Sequence, residues 1–262
     1  MDKAGDYHLE GVNYSYGSTP ALRDFSLLLP PGKFYGIVGP NGCGKSTLLD
    51  LLVGAKEAQS GKLSFSGRKL TAFKKRELAQ EVALVPQNFV IGFDYSVEEV
   101  VLMGRHPYIH RFASPSPEDR RLVREAMEGI GISHFAKRSI MELSGGEKQR
   151  VVVARALAQD TPVLLFDEAT SNLDIRYSLQ IFKKVRKLVD RGRTVIAVIH
   201  NLNLAAAYCD EIIFMKEGQV AAHGTVSKVM TPEIIDRVFE VESEVRFDPF
   251  SRSYQLSYNY DR

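Results

Sequence analysis

GPNGCGKST, residues 39–47, spaces Gly39, Gly44, Lys45 and Ser46 as G-x-x-x-x-G-K-[ST]. Glycines let backbone N–H groups close around phosphate oxygens, a lysine there reaches the β and γ phosphates of a nucleotide, and a serine hydroxyl is a hard oxygen ligand for Mg2+. The loop follows the apolar run FYGIV and precedes STLLDLL, so it reads as a strand-to-helix turn whose helix start faces the anion. Pro40, Asn41, Gly42, Cys43 and Thr47 complete this candidate cradle. The competing reading is a glycine-rich turn with an incidental lysine. Alkylation of Cys43 inside the loop is expected to block nucleotide binding.

PVLLFDEAT, residues 162–170, runs an apolar strand into Asp167 and Glu168, which places two carboxylates where α/β sheets bind their ligands. By themselves they also suit a solvated loop. Beside a phosphate loop, Asp167 becomes the candidate to hold Mg2+, and Glu168 the candidate general base on an attacking water. His200 ends the apolar run TVIAVIH and should emerge on the same edge, as a capping residue or as a γ-phosphate contact. Gln87 follows VALVP, a third such run, and brings an amide oxygen within reach of the metal.

A second glycine-rich helix start occurs in ELSGGEKQR, residues 142–150. Ser144 and Glu147 have capping-box spacing, which explains the two ends of the motif. Gly145 and Gly146 between them are poor helix formers, and the box does not require them. They would let a phosphate approach the backbone and the positive end of the helix. The chain already has one phosphate loop, so this second start suits a nucleotide held by another copy, in a two-fold dimer with two shared sites.

These residues need a sheet edge to converge on. HLEGVNYSY and ALRDFSLLL read as early antiparallel strands. KFYGIVG, VALVP, PVLLFDE, TVIAVIH and EIIFMKEG alternate with helical spans and predict a parallel sheet with right-handed crossovers. From about 96 to 158 the pattern is helical, including a helix near 117–130 with Ser116 as cap and Pro117 in its first turn. The expected fold is therefore α/β: a parallel-sheet core, an N-terminal antiparallel β subdomain and an inserted α-helical subdomain. Residues 1–241 would form one nucleotide-binding domain, ending in a capped helix from TPEIIDRVF, with 242–262 a short C-terminal extension.

Composition narrows the function classes. The 262 residues carry a formal net charge of +2 with acids and bases interspersed, which argues against a nucleic-acid footprint. The two cysteines, Cys43 and Cys209, form no C-x-x-C pair and suit a reducing compartment. The start, MDKAGDYHLEG, has no signal-peptide pattern, and no run is long and apolar enough to cross a bilayer, so a membrane role would be peripheral.

The order GPNGCGKST, Gln87, LSGGE, LLFDE, SNLD, His200 resembles the nucleotide-binding subunits of ATP-binding cassette (ABC) transporters, over Tyr7 to about Val241. The resemblance implies a P-loop NTPase core that hydrolyses ATP with Mg2+, and a homodimer in which Ser144, Gly145, Gly146 and Glu147 act in trans on the partner's ATP. It further implies that the SNLD loop with Asp174 links the two sites and that Tyr16 stacks on adenine. Departures are Glu147, where the family often has glutamine, and Ala169, where proline is common. VVLMGRHPYIHRF, residues 100–112, is similar to the GR-x-P segment of ATPases serving importers of ferric siderophores, haem and vitamin B12, with molybdate-type relatives. A metal site at His106 and His110 is disfavoured by Pro107 and the lack of a third ligand. The implied partners are a polytopic permease docked on the helical insertion and an extracytoplasmic substrate-binding protein, with the ATPase on the cytoplasmic face of the inner membrane. An exporter or a soluble cassette protein would share the catalytic motifs. A small-molecule kinase would have no use for LSGGE.

Overall fold

The structure is a computed structural model that describes residues 5–89, 91–170 and 173–259. Strands β1 (Tyr7–Tyr16), β2 (Thr19–Leu29), β4 (Ser60–Phe65) and β5 (Arg68–Lys69) form an antiparallel sheet in the order β2-β1-β4-β5. A second sheet has the order β10-β9-β3-β8-β7-β6. It contains β3 (Phe34–Val38), β6 (Val82–Val85), β7 (Val163–Phe166), β8 (Thr194–Val198), β9 (Glu211–Lys216) and β10 (Gln219–Thr225). Its first five members in chain order are parallel, and β10 adds to the edge by an antiparallel hairpin from β9.

The parallel strands read as near-continuous apolar runs because both faces are covered. Their side chains alternate between two cores. Tyr35, Ile37, Leu165, Ile196 and Ile213 pack with α1 (Lys45–Leu52) and the antiparallel sheet, whereas Phe34, Leu164, Val195, Ala197 and Phe214 pack with the helices on the other face. Helix α1 thus lies between the sheets, with Leu48, Leu49, Leu51 and Leu52 all buried. Truncating a fully buried strand residue such as Leu165 to alanine is expected to cost about 2–5 kcal/mol.

Helix α2 (Lys75–Glu81) leads into β6. Between β6 and β7 lie α3 (Val97–Leu102), α4 (Pro117–Ile130) and α5 (Gly145–Gln159), joined by short 3-10 turns. Ser116 caps α4 through a capping box with Asp119. Asp119 also receives Arg105 Nε at 2.9 Å, and the Arg105 guanidinium donates to the Ala158 and Gln159 carbonyls at the end of α5, at 3.0 and 2.9 Å. Cations are favoured at helix C-termini, so this buried arginine ties α4 and α5 to the GRHPY segment. Arg76 and Gln80 of α2 donate to the Pro107 carbonyl at 2.8 Å, fastening the same segment to the helix that leads into β6.

After β7 come α6 (Ile175–Val189), α7 (Leu202–Tyr208), α8 (Val226–Val229) and α9 (Pro232–Phe239). Thr231 caps α9, with Pro232 in its first turn. The tail is a regular antiparallel hairpin, β11 (Ser243–Asp248) with β12 (Ser253–Tyr258).

Candidate functional site

Four parallel strands deliver the chemistry to one edge. Val38 ends β3 and leads into the glycine-rich loop. Gln87 follows β6, Asp167 and Glu168 follow β7, and His200 follows β8. The Asp167 amide continues the ladder by donating to the Val85 carbonyl at 2.8 Å.

The loop curls around its own lysine. Lys45 is buried, and its Nζ donates to the Gly39 and Pro40 carbonyls, both at 2.8 Å. Two glycines are sterically required. A Cβ on Gly39 would run into the Met215 carbonyl of β9, and Gly44, at φ 102°, has the Ala21 carbonyl where its Cβ would be. Gly44 is also the N-cap of α1, which has no side-chain cap and no acidic residue in its first turn. The helix start therefore presents its N–H groups and positive dipole end to the cleft with no carboxylate of its own first turn over them.

Cys43 is buried beneath the loop, and burial pushes its thiol up, opposed by the nearby Lys45 charge. A protonated, enclosed thiol reacts slowly with alkylators.

Ser46 Oγ donates to Asp167 Oδ1 at 3.0 Å, joining the loop to the end of β7. Burial raises the Asp167 carboxyl, as does the neighbouring Glu168 charge, while the Ser46 hydrogen bond lowers it. Glu168 has a left-handed backbone, φ 48°, a conformation that costs an L-residue about 1–2 kcal/mol. That turn aims its carboxylate between two neighbours. Gln87 Nε2 donates to Oε2 at 2.5 Å, and His200 Nε2 lies 2.6 Å from Oε1. Three adjacent strand ends thus meet at one carboxylate.

A cleft of about 260 Å³ lies over the loop, lined by Tyr16, Asn41, Gly42, Lys45, Ser46 and Glu168 among others. Tyr16 is half exposed, its hydroxyl is 3.3 Å from Thr47 Oγ1, and Lys56 Nζ sits 5.5 Å from its ring centroid. An exposed ring at the cleft mouth is available for stacking. A second cavity, about 410 Å³, flanks Glu168 and His200 on the other side and reaches Thr170, Leu173 and Ile175.

Ser144, Gly145, Gly146 and Glu147 are not among the described residues lining either cavity. They start α5 with the expected box: Glu147 Oε2 accepts from the Ser144 amide at 2.8 Å, and Ser144 Oγ accepts from the Glu147 amide at 3.4 Å. The Ser144 hydrogen bonds hold the Glu147 carboxyl below the usual range. Gly145 is exposed, with open space where a Cβ would be. Asp174 is the N-cap of α6, accepting from the Tyr177 amide at 2.9 Å. Ser171 and Asn172 of the SNLD loop lie outside the described residues.

Sequence reasoning missed the Gln87–Glu168–His200 meeting, because strand order is not visible in spacing. It also missed Arg150, buried three residues beyond Glu147 and stacked 4.0 Å over the Tyr177 ring. Its only signal was a basic residue closing the polar run EKQR, just before the apolar VVVARALA.

The ABC transporter family profile matches residues 22–171, more than half of the chain and spanning the loop, Gln87, LSGGE and the Asp167–Glu168 pair. The chain belongs to the ABC transporter family. This ABC cassette is an ATPase with the mixed-sheet fold of its relatives. It is 41% identical to the hemin import ATP-binding protein of Pseudomonas entomophila, over 92% of this chain and 95% of that one. Identity to the iron(3+)-hydroxamate import ATP-binding protein of Bacillus subtilis is 37%, over 92% and 90% of the two chains. Among solved structures, a metal-chelate type ABC transporter in an inward-facing conformation superposes with a TM-score of 0.82 at 27% identity, covering 97% of both chains. A dimeric bacterial ABC transporter cassette superposes with a TM-score of 0.75 at 30% identity, covering 84% of this chain and 98% of that one. Among the described residues of the cassette, no helix is long and apolar enough to cross a membrane.

Proposed function

We propose that this ATPase is the motor subunit of an importer for metal-chelate cargo, of the ferric siderophore, haem or cobalamin kind. It would work as a two-fold dimer docked through its helical insertion on a membrane permease, peripheral to the cytoplasmic face. The observation that carries this reading is similarity, at 37–41% identity, along nearly the whole length of import ATP-binding proteins, together with the superposition over 97% of the chain on a metal-chelate type transporter.

The reaction joins a water oxygen to the γ phosphorus and breaks its bond to the β–γ bridging oxygen. In this reading Glu168 takes the water proton, and His200 orients that carboxylate and contacts the γ phosphate. Lys45 and the loop N–H groups from Asn41 to Thr47 hold the phosphates and receive the negative charge that leaves with ADP. Tyr16 stacks on the adenine. The Ser46 hydroxyl, Asp167 and the Gln87 amide are hard oxygen donors, and the 3.0 Å Ser46–Asp167 contact brings two of them together, a set that suits Mg2+. Bound Mg2+ would supply neutralisation of phosphate charge.

Ser144, Gly145, Gly146 and Glu147 cover the partner's nucleotide, and Asp174 holds the segment between the sites. ATP favours the closed dimer by its differential affinity, and hydrolysis releases it. The test is to retrieve the tagged chain from native membranes in mild detergent and identify what accompanies it. A polytopic permease with a substrate-binding protein, and ATP-dependent uptake of a metal chelate by vesicles holding that complex, is the expected result. Retrieval of soluble partners alone would remove the transport assignment and leave the ATPase.

A further inference from the structure

His200 follows β8 and immediately precedes Asn201, the N-cap of α7. Helix α7 is only seven residues long, too short to hold its shape without packing. Leu202, Ala205 and Ala206 anchor its inner face in the core. Its C-terminal end is fixed by Arg186, which donates to both Asp210 oxygens at 2.9 Å. The half next to His200 is held from outside by the tail hairpin. Leu256 of β12 is buried in the same core as Leu202. Its backbone N–H donates to Asn203 Oδ1 at 2.7 Å, and its carbonyl accepts from Asn203 Nδ2 at 3.5 Å. The asparagine amide therefore pairs with the outer edge of β12 as a neighbouring strand would. Its other strand is tied to α9 by Ser243 Oγ, which donates to Asp236 Oδ1 at 2.6 Å.

We infer that Asn203 is a positioning residue for His200, and that the C-terminal hairpin is a brace that keeps the histidine against Glu168. The His200 side chain is 42% exposed, so packing around the ring itself does not set its place. On the strand side its backbone is held by buried Ile199, whose N–H donates to the Ile37 carbonyl at 3.0 Å; on the other side the 2.6 Å approach to Glu168 rests on where α7 begins. A hairpin that grips α7 one residue beyond its first turn position fixes that start. The inference rests on the catalytic reading of Glu168 and His200 given above.

The test is steady-state ATP hydrolysis by the full chain carrying Asn203→Leu, which removes both hydrogen bonds and supplies a better helix former, and by the full chain carrying Leu256→Ala, which loosens the hairpin from the core beside α7. Each is expected to lower kcat about tenfold, with KM for ATP and the melting temperature of Asn203→Leu near those of the parent. Asn203→Asp keeps the acceptor and should recover part of the rate. In the Leu256→Ala background Asn203→Leu should have little further effect, because both changes loosen the same contact. Wild-type kcat in Asn203→Leu, or losses that multiply in the combined variant, would overturn the brace. His200→Ala, measured alongside, separates the two levels: if it retains full turnover, the catalytic reading of His200 fails and the inference goes with it. If it is inactive while Asn203→Leu is not, only the inference fails.

Discussion

The chain contains two glycine-rich helix starts, and they are built in opposite ways. Helix α1 begins at Gly44 with no side-chain cap, no acid in its first turn and a buried lysine. Helix α5 begins at Ser144 with a complete capping box that places the Glu147 carboxylate over the first amide. The first leaves its N–H groups for a ligand, and the second satisfies part of its own. Glycine content alone therefore does not define an anion site. What matters is whether the fold leaves the helix start open, and here the cleft over α1 does. The α5 start, with Gly145 exposed, suits a ligand arriving on another surface.

Four changes would sharpen or break that contrast. Glu168→Gln should lower turnover by about a thousandfold while ATP binding and ATP-driven dimerisation persist, as read by hydrolysis and by gel filtration with ATP. Substantial turnover would take the base role from Glu168. Gly44→Ala combines left-handed backbone strain of about 1–2 kcal/mol with a clash against the Ala21 carbonyl. It should weaken binding of a fluorescent nucleotide by more than about tenfold. Unchanged affinity would mean that the open α1 start is not the phosphate site.

Ser144→Ala removes a cap worth about 1 kcal/mol and should lower the melting temperature by about 2–4 °C. In the Glu168→Gln background it should also abolish the ATP-driven dimer while leaving nucleotide affinity unchanged. A dimer that survives would confine the Ser144 box to local structure.

Glu147→Gln is the smallest change. The Glu147 carboxyl is held low by its Ser144 hydrogen bonds. Its contribution to stability is thus present above the ordinary glutamate range and is lost as the pH falls through the lowered value. The glutamine variant should lack that dependence, which is read as the difference between the two melting curves over acid pH. In the proposed dimer, with one negative charge fewer facing the partner's γ phosphate, it should also dimerise somewhat more tightly with ATP. Identical pH profiles would show that the carboxylate does not close the box.

The sequence alone determined the local chemistry. The phosphate loop, the capping box at Ser144, the cap and first turn of α4 and the apolar strands are set by neighbouring residues, and their spacing reports them directly. The end of the run VALVP pointed to Gln87, and the family resemblance that named Tyr16 and Asp174 also rests on motif order. Strand order was decided by the tertiary structure. Only the placement of β7 between β6 and β8 brings Gln87 and His200 onto the same carboxylate, since hydrogen-bonded neighbours in a parallel sheet are far apart in the chain. The tail is a similar case. Its polar-aromatic residues carry no motif, and they become legible when Leu256 is seen buried beside α7 and paired with Asn203, a contact between segments on opposite sides of α8 and α9. Burial and long-range pairing are properties of the folded chain, and no spacing of residues along the chain encodes them locally.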